Sequence, residues 1–148
     1  MQVEIKVNLD IKTPIAVIHT PKITSELTAL VEMLVQAAEK PSLLFAKSEH
    51  KLFVIEPEQI DIIRTEGNDI KLYNREAQGY IITKPLREIE EQLGATFVRI
   101  SKSTLVNIKR VNYLSPSFNS TMAIVMKNGI SDYITRKHLG GFKSRLGL

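Results

Sequence analysis

The chain carries a long series of short apolar segments separated by turn residues, and this pattern constrains its fold more than any other feature. Between residues 43 and 83 there are five such segments, and the separators contain Pro, Gly, Asn, Asp and Ser. Short segments of this kind predict strands, and short separators predict antiparallel neighbours. The predicted strands are 43–47, 52–55, 60–64, 70–73 and 80–83.

The pattern continues to the carboxyl end with helices and further strands. A short helix starts near Pro85 and ends at Gly94, because proline suits a first turn and glycine a left-handed end. Strands are predicted at 97–100, 111–114, 122–127 and 130–135, with Asn128-Gly129 as a hairpin turn. A final amphipathic turn or two contains Leu139, Phe142 and Leu146. Residues 43–148 are therefore expected to be a mostly β domain of the α+β class, with small antiparallel sheets and short helices.

Residues 1–40 show a separate pattern. Alternating apolar residues at 3–9 and an apolar run at 15–18 predict two strands, and a helix that Thr24 or Ser25 can cap ends before Pro41. The apolar face of this helix consists of Leu27, Leu30, Val31, Leu34, Val35 and Ala38. A β-β-α unit of this size buries little surface alone. We expect its helix to pack on the following domain or on another subunit, as a dimerisation or regulatory element.

Basic residues are concentrated at the carboxyl end. From Thr96 to Leu148 the chain has nine Lys or Arg residues and one acidic residue, Asp132, a local charge of +8, whereas the remainder sums to −4. A one-signed field confined to one end attracts and orients a polyanion. The partner is therefore expected to be nucleic acid. Because the basic region is mostly strand and loop, loops and strand ends should make the contacts.

The sequence contains no pattern that indicates catalysis or metal binding. His19, His50 and His138 lack ligand spacing, cysteine is absent, and no nucleophile elbow or P-loop occurs. The segment 101–103, Ser-Lys-Ser, is too small a pattern to indicate a nucleophile. We expect a protein that is not an enzyme and uses no metal, cofactor or small-molecule substrate. The absence of cysteine and of a signal-type start favours the cytoplasm.

A block of residues in the basic region carries a family resemblance. Residues 97–107 read Phe-Val-Arg-Ile-Ser-Lys-Ser-Thr-Leu-Val-Asn, and Asn128-Gly129 and the segment 134–137, Ile-Thr-Arg-Lys, follow. With segment 60–66, these motifs resemble the LytTR DNA-binding family of bacterial transcription regulators over residues 43–148. The resemblance implies small sheets lying along one side of a duplex, with loops in successive major grooves. It also implies a short form, since residues 1–40 are too few for the receiver domain of many relatives.

The resemblance implies three DNA contacts, at the loop 67–69, at the segment 101–103 and at the segment 136–137. The first loop departs from the family by being acidic, so Asn68 is expected to read the base there. The predicted base-reading residues are Asn68, Arg136 and Lys137. The predicted backbone-binding residues are Arg99, Ser101, Lys102, Ser103, Lys109, Arg110 and Lys143.

The chemistry of these side chains supports the division into base-reading and backbone-binding residues. Arg and Lys suit guanine O6 and N7 in the major groove, and Asn suits adenine; a good bidentate pair discriminates by roughly 1–3 kcal/mol. Lys102, Lys109, Arg110 and Lys143 are better suited to neutralise phosphates, which sets affinity and salt dependence. Asn107 is expected to be a structural cap for the short basic segment that follows it.

The predicted partners are double-stranded DNA, a second copy of the chain in a homodimer and, by implication of the resemblance, a regulatory membrane protein. An alternative is a protein-interaction or single-stranded RNA-binding module, in which the basic face is incidental or Tyr113 and Phe118 stack on bases. The spacing of Tyr113, Phe118 and Tyr133 through alternating strands favours core or sheet-surface roles for these residues instead.

Overall fold

The computed structural model of the chain describes residues 4, 6–11, 15–38 and 43–148. The chain divides into two compact units, Met1–Lys40 and Pro41–Leu148. In the first unit, helix α1 (Ser25–Ala38) forms where the apolar spacing predicts it. Thr24 Oγ1 accepts a hydrogen bond from Leu27 N at 3.2 Å, so Thr24 is the residue that caps the helix.

The strands predicted before α1 are not observed in the described residues. Residues 15–20 contain no strand, so the strand predicted at 15–18 is wrong. In the prediction for 3–9, residues 4 and 6–9 also contain no strand, and residues 3 and 5 lie outside the described residues. A strand needs a hydrogen-bonded neighbour, and an apolar pattern alone does not supply one.

Seven strands of the second unit form one antiparallel sheet, here called the large sheet. They are β1 (Leu44–Ser48), β2 (Lys51–Ile55), β3 (Ile60–Glu66), β4 (Asp69–Asn74), β5 (Gly79–Ile82), β6 (Phe97–Ser101) and β7 (Thr104–Asn107). Their order across the sheet is β2-β1-β5-β4-β3-β7-β6. Because β3 pairs with both β4 and β7, the β6–β7 hairpin lies beside the β3–β4 hairpin.

Three further strands form the small sheet, in the order β10-β9-β8. They are β8 (Val111–Pro116), β9 (Met122–Met126) and β10 (Ser131–Ile134), and the other helices are α2 (Leu86–Leu93) and α3 (Arg136–Arg145). The predicted Asn128-Gly129 hairpin turn is confirmed, with Gly129 at φ +90° and its N–H donating to Met126 O at 2.9 Å. None of the helices in the described part of the chain is long and apolar enough to cross a membrane.

Strands β3 and β7 of the large sheet are covered on both faces, whereas most of β2 is exposed. On one face, Leu86 and Ile89 of α2 belong to a buried apolar cluster that includes Ile63 of β3. On the other, Phe142 of α3 and the inner side chains of the small sheet cluster with Ile62. Burying a side chain of this size stabilises the fold by about 1.5–3 kcal/mol. The two clusters therefore hold the strand ends in a fixed arrangement.

Among the strands of residues 43–148, β7 is the one that the pattern did not predict, whereas each predicted strand forms within two residues of its expected limits. All four residues of β7 are buried. Because both faces of this strand are covered, the alternation of apolar and polar residues that identifies a half-buried strand is missing.

Candidate nucleic-acid interface

Three connections of the second unit meet at one end of the sheets. The turn between β3 and β4 lies beside the turn between β6 and β7, where Thr65 N donates to Ser103 O at 2.8 Å. The junction between β10 and α3 lies beside the end of β6, where Thr135 N donates to Ile100 O at 2.9 Å. We call this end the loop face. It contains Gly67, Asn68, Ser101, Lys102, Ser103, Arg136 and Lys137.

The β3–β4 turn presents Asn68 to solvent. Glu66 and Asp69 are the last pair of the ladder, and Gly67 and Asn68 connect them. Gly67 has φ +62°, a left-handed conformation that glycine adopts without steric cost. The side chain of Asn68 is exposed, as a base-reading role requires.

The acidic residue at the start of this turn is compensated from within the fold. Arg64 Nε donates to Glu66 Oε1 at 2.7 Å, Tyr73 OH donates to Oε1 at 2.7 Å, and Lys71 Nζ lies 3.4 Å from Oε2. Burial opposes ionisation of Glu66, but the hydrogen bonds from Tyr73 and Arg64 outweigh it and lower its pKa. Glu66 therefore does not present an uncompensated negative charge beside Asn68.

Asp132, the single acidic residue of the basic region, is likewise held inside the fold. Its Oδ2 accepts from Thr104 Oγ1 at 3.0 Å and lies 3.5 Å from Arg64 Nη1, and its Oδ1 accepts from Tyr133 N at 2.7 Å. The same guanidinium thus contacts the carboxylates of Asp132 and Glu66. These contacts link β3, β7 and β10 directly behind the loop face.

The β6–β7 turn is shaped by Arg99. Its Nη1 donates to Lys102 O at 2.5 Å, and its Nη2 lies 2.9 Å from Glu90 Oε2 on α2. The sequence predicts a backbone contact for Arg99, but its charge is paired with Glu90 and it binds the main chain of the turn. Its contribution in this structure is to position the exposed Lys102.

The cations of the loop face differ from the arginines behind them. Lys102, Arg136 and Lys137 are exposed, and within the described ranges none of them forms an ion pair with a carboxylate. Arg136 Nη2 donates instead to the main-chain oxygen of Asn119 at 3.1 Å. The loop face therefore carries positive charge that the fold leaves uncompensated.

Helix α3 starts with basic residues, which is electrostatically unfavourable. Arg136, Lys137 and His138 occupy its first turn, and that turn contains no acidic residue. The N-terminus of a helix favours anions, with an effect of about 0.3–1 kcal/mol for each charge. Burial, followed by the positive charges of Lys137 and Arg99, lowers the pKa of His138. The first turn of α3 is thus suited to an external anion such as a phosphate.

Two predicted backbone-binding residues lie at the opposite end of β3 and β7. Arg110 Nε donates to Asp61 Oδ1 at 2.7 Å, and that carboxylate is fully buried. The second oxygen of Asp61 accepts from Asn128 N at 3.0 Å. Arg110 is therefore committed to a structural ion pair. The exposed Lys109 follows β7 at this same end, away from Lys102.

Asn107 has the capping role that the sequence predicts. Its Oδ1 accepts from Lys109 N at 3.0 Å, and its Nδ2 donates to Ile60 O at 2.9 Å. The side chain is buried, so the prediction of a structural cap is confirmed.

Lys143 lies on α3, seven residues after Arg136. At 1.5 Å per residue, this separates the two positions by roughly 10 Å along the helix axis. Lys143 is half-buried, whereas Arg136 is exposed on the loop face. It is therefore not part of the loop face as defined here.

The three aromatic residues that could stack on bases divide into two groups. Tyr113 on β8 and Tyr133 on β10 are exposed, which agrees with the sheet-surface role expected for them. Phe118 differs from this expectation, because it lies in the loop between β8 and β9 and its side chain is 89% exposed. The loop ends the alternating pattern of β8 before Phe118 is reached.

The residues that sequence reasoning missed are those behind the loop face. Arg64, Tyr73 and Glu90 hold the turns through hydrogen bonds and ion pairs to other residues of the fold. One signal was present in the sequence, since a lone acid such as Asp132 within a basic segment suggests an internal ion pair. The partners of that acid come from distant parts of the chain and could not be read from spacing.

A β-rich domain with uncompensated cations on adjacent turns has the surface charge expected of the class of nucleic-acid-binding domains. The profile of the LytTr DNA-binding domain family matches residues 50–147. The chain therefore belongs to the LytTr DNA-binding domain family.

Individual relatives agree with this assignment. The chain is 26% identical over 121 residues to the sensory transduction protein LytT of Enterococcus faecalis, covering 81% of this chain and 50% of that protein. It is 29% identical over 101 residues to the transcriptional regulatory protein LytR of Staphylococcus aureus, covering 68% and 41%. The chain thus spans about half the length, or less, of these relatives.

A solved structure shows the same fold. The LytTr DNA-binding domain of a Bacillus cereus protein superimposes with a TM-score of 0.68 at 19% sequence identity. The match covers 74% of this chain and 100% of the other. The antiparallel sheets with short helices expected from the sequence are confirmed.

Proposed function

We propose that the protein binds double-stranded DNA at a defined sequence and regulates transcription, acting by binding rather than as an enzyme. The observation that carries the proposal is the meeting of three turns at the loop face, where Asn68, Lys102 and Arg136 are exposed and the cations have no acidic partner in the described residues. Membership of the LytTr DNA-binding domain family supports it, as does the similarity to the transcriptional regulatory protein LytR.

The side chains of the loop face have different roles in this proposal. Asn68 reads adenine, and Arg136 and Lys137 read guanine in the major groove. Lys102, with the hydroxyl groups of Ser101 and Ser103, contacts phosphate, which positions the domain without reading sequence. Arg99 and Arg110, whose charges are paired within the fold, are not included among the DNA contacts. Lys109 and Lys143, which lie away from the loop face, are not included either.

The first turn of α3 gives this proposal an energetic basis. Without a ligand, Arg136 and Lys137 face the positive end of the helix dipole. A phosphate beside this turn would interact favourably with both the dipole and the basic side chains. Binding therefore relieves a repulsion that the free protein contains.

We further propose that the protein is a cytoplasmic homodimer whose activity a membrane protein modulates. Helix α1 supports the dimer, because Val31, Leu34 and Val35 are each about half exposed on it. Apolar surface of this kind is common at protein interfaces. Sedimentation of the full chain and of Leu34→Glu tests the dimer. The wild type should sediment as a dimer and the variant as a monomer. If the two proteins sediment with the same mass, α1 does not have this role.

The decisive experiment is duplex binding by the full chain. Fluorescence anisotropy with promoter fragments from the protein's own locus should identify one fragment that binds more tightly than shuffled duplexes. Lys102→Ala and Arg136→Ala should weaken this binding, and Lys109→Ala, at the opposite end of the sheet, is the matched control. Equal affinity for all duplexes, or tighter binding to single-stranded RNA, would overturn the proposal in favour of the alternative module.

A further inference from the structure

The loop between β8 and β9 is closed by its own hydrogen bonds. Ser117 N donates to Thr121 O at 3.1 Å, and Phe118 O accepts from Thr121 Oγ1 at 2.6 Å. Asn119 and Ser120 have φ of 56° and 59°, a left-handed conformation that is rare for residues other than glycine. Such conformations persist where the surrounding structure holds them, and they concentrate at functional sites. The position of the loop tip is thus well defined.

Phe118 is held at the tip of this loop without apolar cover. At 89%, it is the most exposed of the large apolar side chains in the described residues 43–148. The neighbouring side chains of the tip, Asn119 and Ser120, are exposed as well. A phenylalanine in this position gains nothing from the cores of the fold, and its ring is available for an external contact.

The loop is joined to the loop face through Arg136. The guanidinium Nη2 donates to the main-chain oxygen of Asn119, the residue that follows Phe118, at 3.1 Å. The Asn119 carbonyl therefore orients the Arg136 side chain, and Phe118 lies within two residues of this hydrogen bond along the loop. A surface that receives Arg136 is placed to receive Phe118 too.

We propose that Phe118 contacts the C5-methyl group of a thymine in the major groove, beside the base pair that Arg136 reads. The inference rests on the proposed function, because it requires Arg136 to enter the groove. The thymine methyl is the apolar group exposed on the floor of the major groove, and phenylalanine is among the side chains that contact it. Phe118 would thus add sequence preference that no hydrogen bond supplies.

Deoxyuridine tests this contact, because it differs from thymine only by the missing methyl group. Each thymine of the tightest-binding promoter duplex is replaced in turn, and the affinity of the full chain is measured. One replacement near the Arg136-dependent base pair should weaken wild-type binding by about fourfold, the value expected for one buried methyl group. Phe118→Ala should bind the thymine duplex more weakly and should not respond to that replacement.

Tyr113→Ala is the matched control, because this variant also removes an exposed aromatic side chain from the small-sheet region. It should bind both duplexes like the wild type. If the wild type binds the promoter duplex but Phe118→Ala binds equally well, the inference fails while the proposed function stands. If Phe118→Ala weakens binding but no thymine position responds, Phe118 contacts sugar or stacks on bases, and the methyl contact is overturned. If the wild type shows no preference for any duplex, the proposed function itself has failed.

Discussion

Arg110 Nε donates to Asp61 Oδ1 at 2.7 Å, and this pair joins the end of β7 to a carboxylate that is fully buried in β3. Two residues of opposite charge, 49 positions apart in the sequence, are thus bound together. Basic residues in a DNA-binding domain do not all face the DNA. Here the same residue type serves the fold at one end of the sheet and, in our proposal, the ligand at the other.

The ion pair predicts a stability defect for Arg110→Ala. The substitution leaves the Asp61 carboxylate buried with the Asn128 N–H as its remaining hydrogen-bond donor in the described residues, and breaking a buried pair in this way costs about 3 kcal/mol. Urea denaturation measures the change. Lys109→Ala is the control, because its exposed side chain should alter stability by less than about 0.5 kcal/mol. Equal stability of both variants would show that the Asp61–Arg110 pair is dispensable.

Lys102→Ala should weaken binding to every duplex by a similar factor. A lysine that neutralises one phosphate releases about one counterion, so the slope of log affinity against log salt should fall by about 1. Affinity measured between low and moderate salt gives this slope. Lys109→Ala should retain the wild-type slope; a matching decrease in that variant would indicate that DNA also contacts the opposite end of the sheet.

Lys137→Ala should reduce discrimination between duplexes rather than binding in general. Loss of a base contact in the major groove removes roughly 1–3 kcal/mol of preference at one base pair. Competition by duplexes with single substitutions locates that base pair. The same measurement on Asn68→Ala should identify a different position, occupied by adenine. Unaltered selectivity in Lys137→Ala would exclude a base-reading role for this lysine.

The Glu66 cluster predicts an acid-sensitive contribution to stability. Although burial alone would raise it, hydrogen bonds from Tyr73 and Arg64 hold the pKa of Glu66 below its ordinary value of 4.5. This contribution is therefore complete above pH 4.5 and is lost as the pH falls through the lower folded-state pKa. Denaturation at successive pH values should show a smaller acid-side decrease for Glu66→Gln than for the wild type. Glu49→Gln, on the exposed β1–β2 turn, controls for removal of one surface carboxylate.

Much of the fold follows from local chemistry that the sequence displays. Asn128-Gly129 forms the expected turn, Asn107 forms the expected cap, and Thr24 begins the expected helix. In each case the interacting atoms lie within a few residues of one another. Strand β7 was missed because burial on both faces removes the alternation that identifies strands.

The candidate site was less predictable, because it depends on contacts between distant residues. Sequence alone gives Arg99, Lys102 and Arg110 the same charge. Only the fold separates them, by pairing Arg99 with Glu90 and Arg110 with Asp61 while leaving Lys102 exposed. For Phe118 the sequence suggests a core or sheet-surface role, because the residue pattern does not show that the loop after β8 is closed by its own hydrogen bonds and leaves this side chain exposed.

The hydrogen bonds from Thr65 to Ser103 and from Thr135 to Ile100 fix the distances between the three connections. Inserting one base pair between two recognised bases of a DNA target would shift one base relative to the other by about 3.4 Å along the helix axis and by about 34° around it. Connections that are held together by main-chain hydrogen bonds cannot follow such a displacement. The spacing within an operator should therefore be as strictly constrained as the identity of its bases.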